Sequence, residues 1–265
     1  MRIVVINLER ASDRRANVAR EFAAVGLPYE LKTAVDGRGL SAGQLALVDQ
    51  DGRRRLGLRP QDNGSIACWL SHREVMEDLV ADGPEMMAVF EDDARLTPEL
   101  PEVLDALERK PFSFDLVSLY RGHPRRAFIP CVSLTDECAA GRVRYSDTGT
   151  VGYVITRQAA EHFLRNNPKI VLAIDHALFR FWASGLNTFY VDPPVVHHGG
   201  ADDSEIHGER RAASATHRDS VSFPVILWRR AVAGGRRSVR KRLAFRRLVR
   251  GDIGVTRWGK ECQGT

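Results

Sequence analysis

The stretch that most constrains the fold is Met86-Met87-Ala88-Val89-Phe90-Glu91-Asp92-Asp93, five apolar residues running straight into three carboxylates. The apolar part is too short for a helix, and Asp82-Gly83-Pro84 punctuates its start, so it reads as a buried strand. The acids then stand at the strand's carboxyl end, the edge at which open α/β sheets bind ligands. Clustered hard oxygens suit Mg²⁺ or Mn²⁺ together with a phosphate-bearing partner. Side chains alternate on extended backbone, so Glu91 and Asp93 are expected on one face and Asp92 on the other. Taken alone, the triplet reads more readily as a charged turn, and the rest of the chain has to decide.

The chain opens with a strand over Arg2 to Leu8, a helix over Ala11 to Val25 with Gly26 just past its end, and an extended piece from Tyr29 to Val35 that stops at Asp36-Gly37. Strand, helix, strand is the start of a βαβ unit, so a mostly parallel sheet covered by helices is expected. Residues 38 to 62 are polar and Arg-rich and read as a loop with one short helix. Gly64 to Ala81 spaces Ile66, Trp69, Leu70, Met76, Leu79 and Val80 for one buried helical face. Cys68 and His72 lie one turn apart on it, a pair that reads as packing rather than metal binding.

Beyond the acids, Thr97-Pro98 predicts a capped helix running to about Arg109, and Phe114 to Tyr120 a strand. Residues 122 to 141 show no clean periodicity and read as a surface excursion. Gly149 and Gly152 fall within a strand pattern ending at Ile155, which suggests that a ligand or another chain segment comes close to the backbone there. Thr156 is placed to cap a helix over Arg157 to Asn166. Asp175 stands where a cap belongs, ahead of an apolar helix from His176 to Ala183, and spacing leaves capping and a functional role both open. A last strand, Thr188 to Val191, leads into a Pro-rich turn and the pair His197-His198.

At 265 residues the chain can bury one sizeable core, or form a domain of about 200 residues with an appendage. No apolar run reaches the roughly 18 to 20 residues that span a bilayer. The first strand meets Asn7 and Glu9 too soon for a signal peptide, and cysteines 68, 131, 138 and 262 form no zinc-ligand or C-x-x-C spacing. Both features lead to the expectation of a cytoplasmic protein with reduced thiols. Ten of the 39 basic residues lie between Ser220 and Gly251, which hold no Asp or Glu; the remaining 29 face 34 acids, a balance of −5. A mildly acidic body argues against a nucleic-acid groove. The segment from 223 to 265 mixes its basic residues with Trp228, Leu243 and Phe245, and reads as a basic amphipathic helical tail meeting an anionic membrane surface. Residues 1 to 222 would then form the catalytic domain.

Six short segments, in order, resemble glycosyltransferase family 25, the lipopolysaccharide and lipooligosaccharide sugar transferases whose relatives include collagen galactosyltransferases. They are Val5 to Arg10 with Asp13-Arg14-Arg15, Ala34 to Gly37, Ala67 to His72, Phe90 to Asp93, Gly149 to Ile155, and Ile174-Asp175. Single segments are weak signals, but six in series are specific. Ala67 stands where many relatives carry Gly, and residues 122 to 141 and those after about 206 match nothing.

The resemblance implies a GT-A-like, Rossmann-like α/β fold, a UDP-sugar donor (most often UDP-galactose), Mn²⁺ or Mg²⁺, and inversion at the anomeric carbon. The resemblance transfers no acceptor choice; the leading expectation, with the membrane location resting on the basic tail, is a lipid-linked or glycan acceptor at the inner face of the cytoplasmic membrane. Asn7, Leu8, Asp36 and Gly37 are then expected to meet the nucleoside, Arg14 the diphosphate side, and Gly152 the bound donor. Asp93 is the first expected metal ligand, with Glu91 or Asp92 on the ribose or a metal-bound water, and His197 or His198 as a late contributor. Asp175 is the expected general base and Asp147 the alternative. Two rival readings stay open: a non-catalytic, membrane-bound assembly partner, and a metal-dependent phosphodiesterase.

Overall fold

The computed structural model describes residues 1–123, 127–144 and 147–199, together with Leu243. The basic tail, and with it the boundary at residue 222, lies outside the described residues. The opening elements are β1 (Arg2–Asn7), α1 (Ser12–Val25) and β2 (Glu30–Thr33), followed by the short helices α2 (Ala42–Leu45) and α3 (Gln50–Arg55). The long helix α4 (Asn63–Asp82) leads into β3 (Met86–Glu91), β4 (Ala94–Leu96), α5 (Leu100–Glu108) and β5 (Leu116–Ser118). Then come β6 (Phe128–Ser133), β7 (Ala139–Val143), β8 (Gly152–Thr156) and α6 (Arg157–Asn166). The described chain closes with α7 (Ile174–Phe179), α8 (Phe181–Ser184), β9 (Thr188–Asp192) and β10 (Val196–His198).

Eight strands form one sheet in the order β2-β1-β3-β8-β5-β9-β7-β6. Parallel pairing joins β1 to β2, β1 to β3 and β5 to β9. Antiparallel pairing joins β8 to β3 and to β5, and β7 to β9 and to β6. Only β8 and β7 therefore run against the other six, and the sheet is the mostly parallel α/β sheet that the opening segments imply.

Period-two alternation sends successive residues of the central strands to opposite faces. Ile3, Val5, Ala88 and Phe90 pack with Val18 and Phe22 of α1 and Leu100, Val103, Leu104 and Leu107 of α5. Val4, Ile6, Met87 and Val89 pack with Trp69, Met76 and Leu79 of α4, Phe163 of α6 and Leu178 of α7. The result is three layers, with β1 and β3 buried on both faces, which is why their sequences are almost continuously apolar.

Several local expectations are corrected. The loop from 38 to 62 holds two short α-helices and a 3₁₀ turn. The fifth helix starts at Leu100 with Glu99 at its cap position and Pro101 in its first turn, and Thr97 instead donates its N–H to the Val195 carbonyl and accepts from the Leu100 N–H in the turn before the helix. Residues 122 to 141 contribute the hairpin of β6 and β7 to the edge of the main sheet; an irregularity between Pro130 and Val132 breaks the alternation that would have marked it. The apolar helix after Asp175 is two short helices that meet at Arg180, and Gly185 ends the second with φ 74°. Thr156 does cap α6, accepting from the Ala159 N–H.

Candidate active site

The carboxyl ends of β1 and β3 lie side by side, with Ile6 in register with Glu91. Above this edge opens a cavity of about 470 Å³, lined by Leu8, Asp36, Gly37, Glu91, Asp92, Asp93, Tyr120 and Asp175 among others. Alternation fails at the acids for a local reason: the strand ends at Glu91, and Asp92 and Asp93 form a turn before β4. All three carboxylates consequently line one cavity, rather than Asp92 facing away.

Their surroundings differ. Asp92 is buried and fully engaged, accepting from Asn7 Nδ2 at 2.9 Å and pairing with Arg14 Nη1 at 2.9 Å. Burial pushes its pKa up, and Arg14 and Asn7 hold it down only in part. Asn7 is itself 2% exposed and does not line the cavity, so it orients Asp92 instead of meeting a nucleoside. Glu91 bonds His72 Nε2 at 3.2 Å and accepts from the Thr150 hydroxyl. Burial alone would raise its pKa, but His72 and Thr150 outweigh it and the carboxyl is held below its ordinary value.

Asp93 is the exception. Its Oδ2 lies 3.2 Å from His198 Nε2, while Oδ1 is buried with no hydrogen-bond partner among the described residues. The bond to Asp93 pushes the His198 pKa up. A two-stranded antiparallel ribbon places this histidine: β10 pairs with β4, setting His198 opposite Ala94, and the Gly199 N–H donates to the Asp93 carbonyl at 2.7 Å. His197, one residue earlier on the strand, is exposed and does not line the cavity. The metal-ligand expectation for His197 therefore moves to its neighbour.

At another part of the lining, Asp36 accepts from the Arg38 backbone N–H and from Arg10 Nε, each at 2.9 Å, and these bonds lower its pKa. Arg10, Arg14 and Arg38 all line the cavity, so guanidinium groups border a space floored by carboxylates. Gly149, with φ +134° and the Tyr120 ring where a Cβ would stand, reaches the cavity. Gly152 does not: a Cβ there would meet Val196 and Phe90, so its smallness serves packing between β8, β10 and β3. Tyr120 is half-buried in the lining, and its phenol pKa is raised by burial and by Asp147, Asp93 and Glu91.

Asp175 lines the cavity from the first turn of α7. It is not the cap: Ala173 holds that position without a side-chain bond, and among the described residues Asp175 accepts from the adjoining His176 N–H at 2.7 Å. Arg53, buried behind, donates to the Val171 carbonyl at 2.6 Å and so ties α3 to the segment leading into α7. Asp147 is placed elsewhere. It is buried, 3.8 Å from Arg121 Nε, accepts from the His123 N–H, and does not line the cavity. A base must reach its proton, so Asp147 is corrected to a structural carboxylate.

Sequence reasoning read His72 as packing and passed over Thr150, Tyr120 and Arg38. The signal for His72 was present, since it sits one turn from Cys68 on the face of α4 turned to β3, but only the fold brings Glu91 to it.

The acid cluster and its bordering arginines stand at a strand's carboxyl edge of an α/β sheet, the edge at which such sheets bind ligands. The family is defined by sequence: the profile of glycosyltransferase family 25 (LPS biosynthesis protein) matches residues 1–178, and the chain belongs to this family. A glycosyltransferase 25 family member of Aedes aegypti is 31% identical over 182 residues, covering 63% of this chain and 28% of that protein. Procollagen galactosyltransferase 1 of Danio rerio is 31% identical over 189 residues, covering 66% and 30%. A probable inactive glycosyltransferase 25 family member 3 of Bos taurus is 25% identical over 243 residues, covering 82% and 40%. The chain thus spans well under half the length of these relatives. Among solved structures, A197 from STIV is similar at a TM-score of 0.37 and 11% identity, covering 75% of this chain and 85% of that one, too loosely to bear on function.

Proposed function

We propose that the cavity binds a UDP-sugar with a divalent cation, Mn²⁺ or Mg²⁺, and transfers a hexose, galactose by preference, with inversion to a glycan acceptor. The observation that carries this reading is Asp93 Oδ1, buried beside His198 and without a hydrogen-bond partner among the described residues, on a cavity bordered by arginines. A desolvated carboxylate oxygen is costly unless a cation or donor meets it, so the residues fit a metal ion. Asp93, Glu91 and His198 would hold it, and when bound it supplies Lewis-acid stabilisation to the departing diphosphate.

This chain's own residues do the rest. Leu8, Asp36 and Gly37 receive the nucleoside, while Arg10, Arg14 and Arg38 offset phosphate charge. Asp92, locked by Asn7 and Arg14, holds the turn that aims Asp93. Asp175 takes the proton of the acceptor hydroxyl as its oxygen attacks the anomeric carbon. The bond from that carbon to the diphosphate oxygen breaks, and UDP departs with the electron pair. A panel of UDP-sugars with Mn²⁺ should give one or two that raise the melting temperature, since a ligand binding only the native state stabilises it. Slow Mn²⁺-dependent UDP release from the same donors completes the test; the absence of both stabilisation and release would contradict the proposal.

The name of the Bos taurus relative favours a second reading, a non-catalytic member that retains the fold. It predicts no release of UDP from any donor. For the acceptor, the family description supports lipopolysaccharide or a related lipid-linked glycan. We infer that the basic segment within residues 220–251 holds the protein at the inner face of the cytoplasmic membrane. Truncation after Ser222 should release the protein from anionic vesicles, and intact-chain binding should weaken as salt rises. Equal binding by both forms would refute the membrane assignment.

A further inference from the structure

Cys68, His72 and Glu91 each line the cavity, and one ligand atom from each lies within 4.8 Å of the other two. Cys68 and His72 are four residues apart on α4, so the helix sets sulfur and imidazole on one face, and β3 brings Glu91 to them. We propose that these three side chains form a second cation site, distinct in chemistry from the oxygen-rich Asp93 site, that takes Zn²⁺ or a similar thiophilic divalent ion. The proposal goes beyond the transfer reaction and does not depend on it.

Ligand type makes the distinction. A thiolate and an imidazole select Zn²⁺ over Mg²⁺ or Mn²⁺, which prefer carboxylate and water. Tetrahedral zinc with bonds of about 2.0 to 2.3 Å places its ligand atoms on the order of 3.5 Å apart, so the cluster needs to close by only about 1 Å at its widest. Three protein ligands leave a fourth position facing the cavity, which also gives the ion its way in.

Orientation of the histidine is the second, independent observation. His72 Nδ1 lies 2.9 Å from the Tyr153 hydroxyl, and that tyrosine is fully buried. Ligating histidines are characteristically fixed through their other ring nitrogen. In the metal-free protein Nε2–H donates to the Glu91 carboxylate; once the ring proton sits on Nδ1, facing the Tyr153 oxygen, the Nε2 lone pair is directed to the side where Glu91 and Cys68 lie. Burial raises the Tyr153 phenol pKa well above its ordinary value, so it remains a neutral partner. On binding, Cys68 gives up its thiol proton to solvent, the His72 ring proton passes by way of solvent from Nε2 to Nδ1, and the ion takes the place of the His72 to Glu91 hydrogen bond. Because Glu91 is shared with the acid cluster, occupancy withdraws it from that cluster, and Zn²⁺ is expected to oppose Mn²⁺-supported chemistry.

The test is a titration of the full chain with Co²⁺ alone, followed by displacement with Zn²⁺. Thiolate-to-cobalt charge-transfer absorption should appear in the near ultraviolet and vanish on adding Zn²⁺. It should be absent in C68S, present in D93N, and develop at roughly 10-fold higher Co²⁺ in Y153F, in line with the usual loss when a supporting partner is removed. Absence of the band in the unmodified chain, its persistence in C68S, or its loss in D93N would overturn the site. Protection of Cys68 from alkylation by Zn²⁺, read by peptide mass spectrometry on the unmodified chain, gives the same answer without a variant; unprotected Cys68 refutes it. None of these readouts requires a sugar donor, so failure of the transfer proposal and failure of this one are separable.

Discussion

Two acid clusters stand at strand ends on either side of β8, and they have opposite fates. At the end of β3, Glu91, Asp92 and Asp93 open on the cavity, and Asp93 keeps one buried oxygen without a hydrogen-bond partner among the described residues. Just beyond β5, Asp147 and Asp192 close around Arg121, whose side chain is wholly buried and whose guanidinium lies 5.3 Å from the Phe128 ring centre. Asp147 Oδ1 also lacks a hydrogen-bond partner among the described residues, but its other oxygen has the Arg121 charge 3.8 Å away and the carboxylate does not line the cavity. Residue type does not separate them. The difference is whether the chain supplies its own cation: Arg121 fills that role in the second cluster, whereas in the first Arg14 reaches only Asp92. A carboxylate neutralised from within is architecture, and one left for an external cation is a site.

The sharpest way to break this comparison is to treat both proposed bases alike. Asp175→Asn should lose about 10² to 10⁴ in transfer rate, the usual contribution of a general base. It should melt near the wild-type temperature, since Asp175 caps nothing and is only half-buried. Asp147→Asn should do the reverse, keeping the transfer rate per folded molecule while losing stability. Kinetics and thermal melts on the pair decide; near wild-type transfer by Asp175→Asn would remove it from the mechanism.

Next in size is Arg121→Leu. Removing one partner of a buried ion pair typically costs about 3 to 5 kcal/mol, because the remaining charges lose their compensation. Denaturant unfolding should show a loss toward the lower end of that range, as Asp192 is partly exposed and can rehydrate. A loss below about 0.5 kcal/mol, the level of an ordinary surface change, would show that the second cluster is not held by its arginine.

The smallest effect is a pH dependence. His198 gains a partner on folding, and its folded-state pKa lies above the ordinary 6.5. Its contribution in the metal-free protein is therefore fully present below about pH 6.5 and is lost as pH rises through the folded-state value. The stability gap between wild type and His198→Gln should shrink across that window. A gap that widens with pH would contradict the Asp93 pairing.

Much of the first hundred residues was legible because the elements there are regular. The strands β1 and β3 are buried on both faces and read as apolar runs, and α4 shows a full helical period. The edge hairpin and the β4–β10 ribbon were not legible: the ribbon strands have three residues each, and the hairpin carries an irregularity at Pro130. That ribbon is what chooses His198 over His197, so the histidine assignment had no local signal. The three acids were found, but their alternation was not, since the strand stops at Glu91 and a turn replaces the pleat. Asp147 stood as the alternative to Asp175 in the sequence until Arg121 was seen beside it.

The central claim is that Asp93 is the carboxylate left for an external cation. Titration of the full chain with Mn²⁺ in the presence of UDP, followed by calorimetry or by the electron paramagnetic resonance signal of free Mn²⁺, tests it most directly. The wild-type protein should bind Mn²⁺ saturably with UDP, and Asp93→Asn should lose that binding while melting close to the wild-type temperature. Equal Mn²⁺ affinity in the two proteins would contradict the claim.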